Sequence, residues 1–102
     1  MPSNYSYGFM DEALFEIKET CTYIAEDLSN PKAAKDLYDK LMKRIAQMCN
    51  YPESGTKVKS VFFTDKSLRK FLVGNYTVYY RPNKETKMIE IIHFIYSKRK
   101  VN

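Results

Sequence analysis

Tyr5, Tyr7 and Phe9 alternate with Ser6 and Gly8, a period of two that predicts a short N-terminal strand. From Asp11 the period changes. Leu14, Ile17, Cys21, Ile24 and Leu28 are spaced three or four apart and draw one apolar stripe along a helix. Asp11, Glu12 and Glu16 lie towards its start, where the helix dipole favours negative charge. Ser29-Asn30-Pro31 then ends this helix and begins another: Asn30 is a good N-cap, and Pro31 lacks an N–H that a first helical position does not need. The second stripe runs Ala34, Leu37, Leu41, Ile45 and Met48, and stops near Asn50-Tyr51-Pro52. So short a turn between helices of about 18–20 residues predicts an antiparallel helical hairpin. Each helix holds fewer than three heptads, which favours packing within the chain over a coiled coil.

Glu53-Ser54-Gly55-Thr56 reads as a turn, and Val61-Phe62-Phe63 reads equally as a short edge strand or an exposed hydrophobic loop, so residues 53–67 stay open. Beyond them three strands are predicted, over 68–73, Asn75–Arg81 and Met88–Tyr96. Gly74-Asn75 forms a tight hairpin turn, since both residues tolerate positive φ, and residues 82–87 form a longer polar one. The expected fold is α+β in the order β-α-α-β-β-β: an N-terminal strand, an antiparallel helical hairpin, then a three-stranded antiparallel meander. The helices pack on one face of the sheet and the other face stays open.

A chain of 102 residues suits one domain, residues 1–102, built on one core. No apolar run approaches the roughly 18 residues of a membrane span, and the N-terminus lacks a signal-peptide layout, so a cytoplasmic location is expected. Cys21 and Cys49 sit on the helical stripes and read as small core residues rather than a disulfide. Two cysteines and one histidine, far apart, give no metal-ligand pattern, and no cofactor motif is present. Charge adds more. Residues 1–56 carry six basic and nine acidic side chains, whereas residues 57–102 carry eleven basic and three acidic. The basic half points to an anionic partner, either nucleic acid or an acidic protein segment. Carboxylates are too sparse after residue 56 for glycosidase-like or two-metal chemistry.

Four local signatures, in order, resemble the RelE/ParE family of toxins from type II toxin–antitoxin systems. They are the hairpin segment from Tyr23 to Ala34 with its Asn30-Pro31 turn; Pro52 followed by Gly55; Arg69 followed by Val73-Gly74-Asn75-Tyr76-Thr77-Val78-Tyr79-Tyr80-Arg81; and Ile89-Glu90-Ile91-Ile92 followed by Tyr96-Ser97-Lys98-Arg99. The resemblance implies a growth-arresting toxin and a cognate antitoxin whose acidic or amphipathic C-terminal segment wraps it, in a hetero-oligomeric complex. It also implies one of two activities. ParE-like members poison DNA gyrase and are not nucleases. RelE-like members cleave messenger RNA in the ribosomal A site without a metal. A member of this fold that only binds a partner, without toxicity, is the third reading.

In the nuclease reading the RNA 2′-OH attacks, and the protein must neutralise the phosphate and assist proton transfer. The resemblance then places Arg99 in the arginine position after the last strand and Tyr96 where a His or Tyr donates a proton or stacks on a base. His93, the single histidine, is the third catalytic candidate, although its alternation with Ile91 and Ile95 reads more readily as a hydrogen-bonded core position. Arg69, Lys70, Arg81 and Lys98 are candidates for binding phosphate or a partner. Arg81 also reads as a partner for a neighbouring acid, and Lys98 as part of a solvated tail. Tyr76, Val78 and Tyr80 share a strand face expected to be core, with the Tyr76 hydroxyl hydrogen-bonded. Two positions depart from the nuclease pattern: Thr77 stands where that branch carries an arginine, and Leu68 where it carries a lysine.

Overall fold

A computed structural model describes residues 5–59 and 67–97. Strand β1 (Ser6–Phe9) leads into helix α1 (Asp11–Thr22), a single π-helical turn (Tyr23–Asp27) and helix α2 (Pro31–Asn50). A two-residue strand β2 (Thr56–Lys57) precedes β3 (Arg69–Val73), β4 (Tyr76–Asn83) and β5 (Met88–Tyr96). The predicted order and the α+β class hold. The five strands form one sheet, β1-β5-β4-β3-β2, in which β3, β4 and β5 are the expected antiparallel meander. β1 adds to the outside of β5 in parallel, Ser6 opposite Met88 and Phe9 opposite Ile91. The expected ambiguity over Val61-Phe62-Phe63 lies outside the described residues.

The second helix follows its sequence signals. The Asn30 side chain accepts from the Ala33 N–H at 3.1 Å, and Pro31 occupies the first turn. Ala34, Leu41, Ile45 and Met48 are buried on the predicted stripe. Full burial of a leucine or isoleucine is worth about 1.5–3 kcal/mol, so Leu41 and Ile45 alone account for much of this helix's attachment.

The first helix departs from prediction in two ways. Its fully buried residue is Ala13, not Leu14, which is exposed. The stripe therefore starts at Ala13 and then runs as predicted through Ile17, with Cys21 packed beside the core. The helix also ends early. At Leu28 the N–H reaches back five residues to the Tyr23 carbonyl, 3.1 Å away, and the widened turn rotates Leu28 off the stripe into solvent.

Two further corrections concern the strands. Pro82 and Asn83, read as turn, continue β4 opposite Ile89 and Met88. Near the other end of this pair, Tyr79 faces His93 while Tyr80 faces Ile91, so Ile92 is a bulge and resets the alternation of β5. His93 therefore shares a face with Ile95 but not with the buried Ile91.

The face towards the helices carries Phe71, Val73, Val78, Tyr80, Ile89, Ile91 and Phe94, which close one core with Ala13, Ile17, Leu41, Ile45 and Met48. Tyr80 is wholly buried at its centre. Its hydroxyl donates to the Pro52 carbonyl at 2.8 Å and accepts from the Gly55 N–H at 3.0 Å, tying the loop after α2 to the sheet. A side chain at Gly55 would land on that hydroxyl and ring edge, so only glycine fits there. Burial pushes the Tyr80 hydroxyl's pKa up, opposed by the Gly55 amide and the nearby Arg69.

Candidate functional site

Pairing across the meander sorts the candidate residues by face. Opposed residues in adjacent strands share a face, so the open face carries the row Lys70–Tyr79–His93, beside it Leu72–Thr77–Ile95, and further along Arg81–Glu90. Arg81 is ion-paired to Glu90 at 2.8 Å, and Asn83 donates to the same carboxylate at 3.3 Å. The acid-pairing reading of Arg81 from sequence is the contact present here. Lys70 and His93 stand in one row with a tyrosine between them, two strands apart.

Arg69 lies on the helix side, with only 14% of its side chain exposed. Its guanidinium donates to the Glu53 carbonyl at 2.9 Å and the Gly55 carbonyl at 2.7 Å, completing the clamp that Tyr80 begins. Arg44 of α2 stands over the Phe71 ring, 5.2 Å from its centroid, and donates to the Leu72 carbonyl at 3.3 Å. Beside it is a shallow cavity of about 380 Å³ whose lining includes Arg44 and Lys70.

His93 is half-buried and bound to α1. Its Nδ1 lies 3.3 Å from a Glu16 carboxylate oxygen and 3.6 Å from Glu12. The same Glu16 oxygen accepts the Phe94 N–H at 3.0 Å. β1 covers β5 only as far as Ile91, and Phe94 is the next backbone donor on that edge. Glu16 thus supplies the acceptor that a neighbouring strand would otherwise provide. Sequence reasoning missed Glu16 and Arg44. Each flanks an apolar stripe, but nothing local says which strand edge it will meet.

Tyr96 is on the helix side, away from Lys70. Tyr76 stacks on Phe94 with ring centroids 4.8 Å apart and meets Tyr96 edge-on at 5.5 Å. Tyr76 packs against the core as expected, but its hydroxyl lacks the expected hydrogen bond among the described residues; burial raises its hydroxyl pKa, with Tyr96, Cys21 and Tyr23 adding to the shift, and the ring lines a surface groove with Tyr23 and Tyr96. The fully bonded hydroxyl belongs to Tyr80. Lys98 and Arg99 lie outside the described residues. Cys21 and Cys49 are free thiols, half-buried, with pKa values raised by burial. Among the described residues no cluster of His, Cys, Asp or Glu could hold a metal ion, and no helix is long and apolar enough to cross a membrane.

The two positions that depart from the nuclease pattern are enclosed. Leu68 is 4% exposed and Thr77 8%, the latter with its hydroxyl 2.8 Å from that of Ser97.

A helical hairpin on one face of a five-stranded sheet, with a basic second half and an open opposite face, defines a small α+β domain. The model of the ParE toxin of type II toxin–antitoxin systems, parDE, matches residues 7–101, and the chain belongs to that family. Membership implies a cognate antitoxin. Among solved structures, the chromosomal ParDE system from P. aeruginosa aligns over 93% of this chain and 98% of its own, with 12% identity and a TM-score of 0.72. The isolated E. coli RelE toxin aligns over 95% and 88%, with 16% identity and a TM-score of 0.59. At these identities both likenesses show the fold alone. No curated protein matches the chain.

Proposed function

We propose that this ParE-family toxin arrests growth by binding and poisoning DNA gyrase in the cytoplasm, as a protein ligand and not as a nuclease. The observation that carries the reading is the state of Leu68 and Thr77. Where the nuclease branch presents a lysine and an arginine to phosphate, this chain has an enclosed leucine and an enclosed threonine. Two charge-assisted phosphate contacts are therefore absent, each of a kind worth about 2.7–4 kcal/mol where comparable donors have been removed. Arg69, a third candidate, lies largely buried with one guanidinium nitrogen bonded to two carbonyls of its own loop.

His93 fits the same reading. Its Nδ1 is turned to Glu16 at 3.3 Å, a contact that fastens helix to sheet. Lys70, on the open face of the sheet, would meet a protein or DNA partner in the toxin–gyrase–DNA assembly, and an antitoxin segment would compete for that surface. Purified toxin should inhibit gyrase supercoiling and accumulate cleaved plasmid. Unimpaired supercoiling at toxin excess, using toxin whose fold is confirmed by circular dichroism, would overturn the proposal.

A further inference from the structure

A continuous groove runs along the outer flank of α1, against the edge of β5 that β1 leaves uncovered. It consists of three adjoining hollows of about 470, 290 and 620 Å³. The first two share Phe15 and Glu16, and the last two share Glu19, Thr20, Tyr76 and Tyr96. The 12 residues of α1 span about 18 Å of it, and Tyr23 and Leu28 extend it beyond the helix.

Two properties of this groove disagree with the chain as a whole. The first is apolar exposure: Phe15 is 63% exposed and Tyr23 53%, and Leu28 and Tyr96 are also open to solvent. The π-helical turn is what carries Leu28 to this rim. The second is charge. The protein is +5 overall, yet Asp11, Glu12, Glu16 and Glu19 line the groove and no lysine or arginine does so among the described residues. Glu16 is engaged with Phe94 and His93, and Glu12 also lies near His93, which leaves Asp11 and Glu19 at the rim. Tyrosine rings beside a carboxylate favour a cation, since ring faces and carboxylate attract the same charge.

We infer that this groove docks a protein partner's apolar segment bearing lysine or arginine, and that its ligand is basic although the protein itself is basic. Leucine-like side chains of the segment seat on Phe15, Leu28 and the Tyr76–Tyr96 pair, while its cations lie between Glu19 and the tyrosine rings. The inference goes beyond the gyrase reading and does not depend on it.

The test uses the full chain and two amphipathic peptides of about twelve residues, the length that matches α1 as a helix. Both carry leucine at every third or fourth position; one has lysine at the remaining positions and its twin has glutamate. Net charge alone favours the glutamate twin, so the two accounts predict opposite outcomes. The lysine peptide should bind more tightly and shift the NMR signals of Phe15, Glu19, Tyr23 and Tyr96. Glu19→Lys should weaken it about tenfold or more, whereas Glu85→Lys, the same change in net charge on a distant turn, should not. Tighter binding of the glutamate twin, or equal losses in both variants, would overturn the inference. So would lysine-peptide binding that appears only after residues 98–102 are removed, because the chain's own basic end would then be the occupant.

Discussion

The two flanks of the molecule solve one problem with opposite chemistry. Each helix lies beside a strand whose neighbour is too short to cover it, and each sends one charged side chain to the exposed backbone. On the α1 flank Glu16 accepts the Phe94 N–H of β5; on the α2 flank Arg44 donates to the Leu72 carbonyl of β3. The similarity ends there. The α2 flank continues into a buried clamp in which Tyr80, Gly55 and one guanidinium nitrogen of Arg69 bond the chain's own loop. The α1 flank is held by an accessible carboxylate and leaves its aromatic rings facing solvent. One flank is closed by its own loop, and the other leaves apolar surface exposed.

The largest break in this contrast should come from Gly55→Ala. A Cβ there meets the Tyr80 ring and backbone that cannot retreat, and overpacking of this kind costs about 1–3 kcal/mol or somewhat more. A polar change at the open rim, Leu28→Ser, should stay within about 0.5 kcal/mol. Urea titration of both variants checks the pair, and similar losses would abolish the distinction between the flanks.

Tyr80→Phe should cost about 1–3 kcal/mol, because it orphans the Pro52 carbonyl and the Gly55 N–H together. Loss of the clamp should show as faster proteolysis between Pro52 and Gly55.

Smaller effects are expected at the strand edges. Glu16→Ala should cost about 1–2 kcal/mol and speed amide exchange at Phe94, while Glu16→Gln, which keeps an acceptor, should preserve most of that protection. Arg44→Met should cost about 0.5–1 kcal/mol and leave Phe94 unaffected. Exchange at Phe94 that responds equally to both variants would mean that the edges are not separately held.

The smallest effect is alkaline. Tyr80 and Tyr76 have pKa values raised above the ordinary 10.0, so the unfolded chain releases these protons first. Stability should be level through neutral pH and fall as pH rises past 10.0. In Tyr80→Phe the fall should be shallower. Urea midpoints across that range provide the measurement.

How much of this was legible depended on whether the signal was local. Helix α2 was readable because Asn30, Pro31 and a strongly apolar stripe agree. The meander was readable because Gly74, with φ of +57°, marks its first turn and the strands alternate cleanly up to the bulge. The start of helix α1 was read at Leu14 and not at Ala13, since alanine is a weak hydrophobic signal even where helix and sheet approach closely. Nothing in the run Ile91-Ile92-His93 announces that Ile92 bulges, so His93 was placed on the wrong face. The parallel pairing of β1, and the roles of Glu16 and Arg44, depend on which elements become neighbours. A single sequence does not state that.

Family membership was readable from the order of four weak signatures, whereas the proposed choice between two activities rests on the leucine at 68 and the threonine at 77, both enclosed. The most direct test of the central claim puts one toxin preparation into two assays: gyrase cleavage of supercoiled plasmid, and primer extension on a message being translated in vitro. The account predicts trapped gyrase–DNA cleavage with intact message. Codon-positioned cuts in the message with gyrase unaffected would contradict it.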